Sequence, residues 1–200
     1  MKLLLATANP HKIGELTELL REVSDLELVS LRDFPDTKMP EETGATMRDN
    51  AKLKALHCAR QSSLPALADD SGIEVDALGG APGVRSARWV SGDDAERANA
   101  LLELLQSTAP PGRRARYRCA ICLAWPDGKI EEVEATCEGR IAQNWRGQNG
   151  FGYDPIFEIT EQTGAASEYL GKTMAEVPPE TKALVSHRAR AAKLLAARFR

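Results

Sequence analysis

From Ala115 to Leu123 the side chains alternate in character. Ala115, Tyr117, Cys119, Ile121 and Leu123 fall on one side, and Arg116, Arg118, Ala120 and Cys122 on the other. This is the two-residue period of a β-strand. Pro126-Asp127-Gly128 makes a turn, and Ile130 to about Ile141 reads as the returning strand. Strands joined so closely pair antiparallel. On both sides of this hairpin, strand-like and helix-like runs interleave. A hairpin inside such an alternation excludes a purely parallel, doubly wound sheet. The expected fold class is α/β, a long mixed β-sheet flanked by helices.

The flanking elements are marked locally. Leu3-Leu4-Leu5-Ala6 is a short apolar strand. Asn9 then stands as an N-cap with Pro10 at the first helical position, and Ile13, Leu16, Leu20 and Val23 recur on one face. Leu26 to Leu31 reads as a second strand, and Arg32 to Gly44, with Pro35 and Pro40, as a loop. Thr46 and Asp49 have the spacing of a capping box for a helix reaching about Arg60. Ala66-Leu67-Ala68 is a strand expected to stop at Asp69-Asp70-Ser71-Gly72, before a separate run from Ile73 to Val75. Asp93 to Gln106 is a helix, with Pro110-Pro111-Gly112 after it. A glycine-rich loop (Gly147, Gly150, Gly152) leads into Tyr153-Asp154-Pro155, and Glu180 to Phe199 is mostly helix former.

Size and charge narrow the function. The 200 residues suit one domain, or two small lobes sharing a core. With 26 basic and 29 acidic residues, the chain has no global basic excess to hold nucleic acid by its phosphates. No apolar run approaches the roughly 18 residues of a membrane span, and the apolar stretch after Met1 is too short for a signal peptide. A cytoplasmic protein with no membrane and no nucleic-acid partner is therefore expected. Its cysteines (Cys58, Cys119, Cys122, Cys137) default to thiols. Cys119 and Cys122 sit on opposite faces of a strand, which argues against a metal or redox pair.

Several constellations stand out. The first helix opens with His11 and Lys12, where the macrodipole favours carboxylates. With Thr7 and Asn9, this is either an anion cradle or a surface lysine on an amphipathic helix. Asp69 and Asp70 follow an apolar strand, and two adjacent carboxylates there are costly to desolvate without positive charge nearby. Neighbours on a strand face opposite ways, so one should face a site and the other a structural partner. Glu41 and Glu42 form a second acidic pair. Hard oxygens from separate loops suit Mg2+, although a solvated acidic loop reads the same. Asn50 and Lys54 are one turn apart and share a helix face. Phe151, Gly152, Tyr153 and Asp154 offer rings and a carboxylate for a planar base, or an aromatic turn facing a core. Lys182 with Ser186-His187-Arg188 is either a nucleotide contact or a solvated basic face.

In series, these segments resemble the inosine/xanthosine triphosphate pyrophosphatase family. The resemblance rests on Thr7-Ala8-Asn9-Pro10-His11-Lys12, Glu41-Glu42-Thr43-Gly44, Asn50 to Ala55, and Ala68 to Gly72. It continues through Leu78 to Gly83 with Ser86-Ala87-Arg88, then Gly150 to Pro155, and Lys182 with Ser186-His187-Arg188. Each segment alone is weak, and seven in order along nearly the whole chain are specific. The resemblance implies one domain over residues 1–200, with two lobes and a cleft, forming a homodimer. It implies hydrolysis of aberrant purine nucleoside triphosphates (dITP, ITP, XTP) to monophosphate and pyrophosphate, with Mg2+. Thr7, Ala8, Asn9, Pro10, His11, Lys12 and Lys54 are then expected at the phosphates. Asp70 is expected as general base and metal ligand, with Glu42 or Glu41 completing the metal site. Ser71, Phe151, Gly152, Tyr153, Asp154, Lys182, His187 and Arg188 are expected at the substrate. The alternatives are a septum-inhibitor-type pyrophosphatase of pyrimidine or methylated nucleotides, or a nucleotide-binding protein without catalysis. The segment from Glu161 to Lys172 is longer and more irregular than the family pattern requires.

Overall fold

A computed structural model describes residues 1–198. In chain order its strands are β1 (Lys2–Leu5), β2 (Glu27–Ser30), β3 (Ala66–Val75), β4 (Arg114–Ala124), β5 (Ile130–Ile141) and β6 (Phe157–Glu158). Its helices are α1 (Pro10–Leu20), α2 (Met47–Ser62), α3 (Asp94–Leu104), α4 (Pro179–Val185) and α5 (His187–Ala196). The strands form one six-stranded sheet in the order β2-β1-β3-β4-β5-β6. β1 runs parallel to β2 and to β3, and β5 is antiparallel to β6. The sheet is therefore mixed, as the hairpin requires. That hairpin is β4–β5, closed by Trp125 N–H to the Lys129 carbonyl at 2.9 Å. No helix among the described residues is long and apolar enough to cross a membrane.

The chain divides into two compact units. The first comprises Met1–Asp70, Cys119–Ala135 and the residues from Arg190 onward. Its core joins Leu3 and Leu5 of β1, Leu16 and Leu20 of α1, Leu67 of β3 and Ile121 of β4. β1 lies between two parallel neighbours and is buried on both faces, hence its uninterrupted leucines. Burying each such leucine contributes about 2 kcal/mol. The second unit comprises Ser71–Arg118 and Thr136–Ala189. Ile73, Val75, Leu101, Leu105, Tyr117 and Phe157 belong to its core. β4 changes character where it passes from one unit to the other. Up to Arg118 it alternates buried and half-buried residues, and from Cys119 every residue is buried. Ala120 and Cys122 fit there because both faces are covered.

One expectation is corrected. The strand expected to stop at Asp69 continues as β3 through Asp69, Asp70, Ser71 and Gly72 to Val75. The two carboxylates do not end it because cations on α1 and α2 meet them. The helix-forming C-terminal run divides into two helices: Ser186 adopts an extended conformation (φ −65°, ψ 155°) between α4 and α5. Its Oγ accepts from Ala189 N–H at 3.2 Å, so it caps the next helix. Phe199, the last residue of that run, lies outside the described residues. The segment after Ile159 forms short 3₁₀ turns at Glu161–Thr163 and Ser167–Tyr169. It closes at its base by hydrogen bonds from Ile159 N–H to Lys172 and from Gly171 N–H to Ile159.

Candidate active site

In the first unit, Asn9 caps α1 as its sequence position requires. Its Oδ1 accepts from the backbone N–H groups of His11 (2.9 Å) and Lys12 (3.3 Å), and Thr7 Oγ1 accepts from Asn9 N–H at 3.2 Å. The cap thus occupies the two N–H groups that the sequence offered to an anion. The Lys12 ammonium turns to the sheet, with Nζ 3.0 Å from Asp69 Oδ2. The Asp69 side chain is fully buried and Lys12 is only 15% exposed, so the ion pair is well shielded. Ala8, Pro10 and His11 stay exposed.

Asp70 points instead to α2. Lys54 Nζ lies 3.2 Å from Asp70 Oδ1 and 2.7 Å from Glu42 Oε1. Asn50 Nδ2 donates to Asp70 Oδ2 at 3.2 Å. The adjacent aspartates therefore serve different helices, as strand geometry demands. Of the acidic pair in the loop, Glu42 reaches this cluster, while Glu41 is exposed. One ammonium stands between two carboxylates, and the proton affinities follow from that ratio. Burial raises the Asp70 pKa most; Lys54 opposes this, and Glu42 adds to it, leaving a net rise. Burial alone would lower the Lys54 pKa, but Asp70, Glu42 and Asp69 outweigh it and hold it above the usual lysine value.

The donor set here is two hard carboxylates already converging on a cation. Mg2+ commonly takes one or two protein carboxylates and completes its shell with water and substrate phosphate. Among the described residues, no group of at least three His, Cys, Asp or Glu side chains could hold a metal. Asp70 and Glu42 offer two carboxylate donors, a set that suits a hard divalent cation whose remaining positions are taken by water or a ligand.

The second unit holds the aromatic and basic residues. Asp154 is buried and organises them: it accepts from Phe151 N–H (2.9 Å), Tyr117 OH (3.2 Å) and Lys182 Nζ (2.7 Å). Gly150 makes the approach possible. It has φ +77°, and a Cβ there would stand 2.1 Å from Asp154 Oδ2. Lys182 Nζ lies 4.7 Å from the centre of the Phe151 ring, and the Arg188 guanidinium 5.8 Å from it. Phe151 is half-buried and so keeps part of its ring accessible. Tyr153 is different: it is buried in the core, its OH donates to the Ser86 carbonyl at 2.9 Å, and burial pushes its pKa up to about 12. Gly152 N–H donates to Asp94 at 2.8 Å.

The break at Ser186 puts His187 and Arg188 in the first turn of α5. His187 stacks on Tyr117 with centroids 4.6 Å apart and planes at 13°. Arg188 is buried, and its Nη2 donates to Ser71 Oγ at 2.9 Å. Tyr117, through Asp154 and His187, is a supporting residue that alternation alone assigned only to a strand face. The available signal was its hydroxyl, since a tyrosine on a buried face needs a partner for it. Ser86 is a second: its Oγ accepts from Ile73 N–H at 2.8 Å, tying β3 to the turn beside Tyr153.

The model of the Ham1 family matches residues 3–198. A dITP/XTP pyrophosphatase of an Exiguobacterium species is 45% identical over 197 residues, covering 98% of this chain and 96% of that protein. One from Thermus thermophilus is 46% identical, covering 98% and 90%. A Ham1 protein from Coxiella burnetii has a structure similar at a TM-score of 0.86, with 38% identity and coverage of 98% and 97%. The Staphylococcus aureus Ham1 protein matches at 0.84, with 35% identity and the same coverage.

Proposed function

Because the chain belongs to the Ham1 family, we propose that it hydrolyses aberrant purine nucleoside triphosphates (dITP, ITP and XTP) to the monophosphate and pyrophosphate. The near-full-length likeness to dITP/XTP pyrophosphatases carries this reading, and the local chemistry supports it. In the first unit, Asp70 orients the attacking water and takes its proton. The raised Asp70 pKa suits a base in a shielded site. Lys12 and Lys54 offset phosphate charge, and Thr7 to His11 flank them at the α1 cap. Asp70 and Glu42 would hold Mg2+, which when bound would neutralise phosphate oxygens and make water more acidic. Glu41, being exposed, is the less suited carboxylate. Attack of water breaks one P–O–P link of the triphosphate, Asp70 takes the water proton, and monophosphate and pyrophosphate are released.

In the second unit, the exposed part of Phe151 takes the base, with Arg188 and the N–H groups at the start of α5 as donors to a 6-oxo group. Ser71, Gly152, Lys182 and His187 complete this group. Asp154 and Tyr153 act by holding the loop. The proposal extends to a single two-lobed domain, a homodimer, and a cytoplasmic setting without nucleic-acid or membrane partners. The test is pyrophosphate release from a panel of nucleoside triphosphates with Mg2+ and after chelation. Turnover of dITP and XTP that chelation abolishes and Mg2+ restores is expected. Binding without release would favour the non-catalytic alternative, and turnover confined to pyrimidine nucleotides would favour the septum-inhibitor type.

A further inference from the structure

Asn50 is the most buried polar side chain of the first unit's cluster, at 0% exposure. Its amide has two different partners. Oδ1 accepts from Gly44 N–H at 2.7 Å, and Nδ2 donates to Asp70 Oδ2 at 3.2 Å. One end must accept and the other donate, so these partners fix its orientation. Lys54, one turn along α2, spans the same two places: Glu42 in the loop at 2.7 Å and Asp70 on β3 at 3.2 Å. The helix face therefore ties the loop to the strand twice, once through a charge and once through a neutral amide. The approach is close enough to require glycine at 44. A Cβ there would stand 2.6 Å from Asn50 Oδ1 and 2.9 Å from Asn50 N.

We propose that Asn50 is a positioning residue that sets the separation of the Glu42 and Asp70 carboxylates, and so the cation site they form. This rests on the proposed reaction, in which those carboxylates hold Mg2+. Lys54 cannot do the task alone. A lysine on a flexible stem tolerates many geometries, whereas a buried amide with both ends engaged tolerates one. Its loss should reach the cation first, because carboxylates that are no longer oriented hold a metal less well. It should spare the base-binding residues, which belong to the second unit.

Asn50→Asp is the informative variant. It is isosteric and keeps the acceptor for Gly44, but replaces the donor to Asp70 with a second carboxylate oxygen. Asn50→Ala removes both links, and Gly44→Ala disturbs the loop link from the other side. Mn2+ binding is measured by electron paramagnetic resonance on nucleotide-free protein, beside kcat and KM for XTP and half-saturating Mg2+. Circular dichroism confirms folding of each variant. For Asn50→Ala and Gly44→Ala we expect Mn2+ affinity and kcat each to fall about 10–100-fold, half-saturating Mg2+ to rise in step, and KM for XTP to stay within about threefold. Asn50→Asp should lower kcat by a similar factor even where its added charge retains Mn2+. Folded Asn50→Ala and Gly44→Ala with wild-type Mn2+ affinity and kcat would overturn the proposal. So would a rise in KM alone. If the wild-type protein hydrolyses no nucleotide, the reaction is wrong, while Mn2+ binding still decides whether Asn50 builds the cation site.

Discussion

Asp70 and Lys12 are both partners in shielded ion pairs, yet their substitution should have opposite effects on stability. Burial, with Glu42 nearby, makes the folded chain hold the Asp70 proton more tightly than the unfolded chain does. This contribution to stability is complete below the ordinary carboxylate pKa and is lost as pH rises through the raised value. Asparagine does not ionise, and Lys54 keeps Glu42 as a partner. Metal-free Asp70→Asn should therefore melt with wild-type protein at acid pH, and at or above it at neutral pH. Its pyrophosphate release should fall by about 10²–10⁴. Wild-type turnover in Asp70→Asn would remove Asp70 from the mechanism. Lys12→Ala, in contrast, takes a cation from the fully buried Asp69. It should cost roughly 3 kcal/mol in urea unfolding, raise KM and lower kcat. Unchanged unfolding would mean that the Lys12–Asp69 contact is energetically idle.

At the scale of elements, the sequence marked helix starts well, because caps are local. Asn9, Thr46 and Asp93 each bond the first turn of the helix that follows. Ser186 is a cap of the same type, but it sits inside a run of helix formers, where local pattern does not mark it. What it decides is placement: the break starts α5 at His187, which brings His187 onto Tyr117 and Arg188 toward Phe151. Ser186→Ala should lower unfolding free energy by about 1 kcal/mol, and Ser186→Gly by only a few tenths. The alanine variant should also raise KM for the nucleotide more than it lowers kcat, since the base end loosens and the carboxylates do not. Equal urea midpoints for the two variants would show that Ser186 is no cap. β3 failed in the reverse direction. Two adjacent aspartates look like a strand end, and only the lysines delivered by α1 and α2 allow the strand to run on.

For the whole molecule, the proposed reaction makes selectivity a matter of hydrogen-bond complementarity. Inosine and xanthosine triphosphates carry a 6-oxo group, whereas adenine has an amino donor there and guanine adds one at position 2. In the proposed base site, a buried donor such as the Arg188 guanidinium would lose its acceptor opposite adenine. Unpaired buried donors are costly, so discrimination of about 10² or more in kcat/KM is expected. A second donor or an exclusion near position 2 would reject the amino group of guanine, so ITP, dITP and XTP should be turned over well, and ATP and GTP poorly, when measured side by side. The deoxy form should be accepted, since none of the residues named here reads the 2′-hydroxyl. ATP or GTP hydrolysed as fast as ITP would overturn the base assignment and leave the phosphate chemistry in place.

Periodicity and capping are properties of neighbouring residues, so the sequence by itself determined the β4–β5 hairpin, the mixed sheet and the starts of α1, α2 and α3. Motif order named the candidate site residues. Only the tertiary structure decided how they are partnered, because ion pairs and hydrogen bonds join residues far apart in the chain. Lys54 meets Glu42 and Asp70 from separate elements, and Lys12 meets Asp69 and not Asp70. The same distinction separates Phe151 from Tyr153. Two residues apart in one loop, they look interchangeable, until the core takes the Tyr153 hydroxyl to Ser86 and leaves the Phe151 ring half-exposed under Lys182.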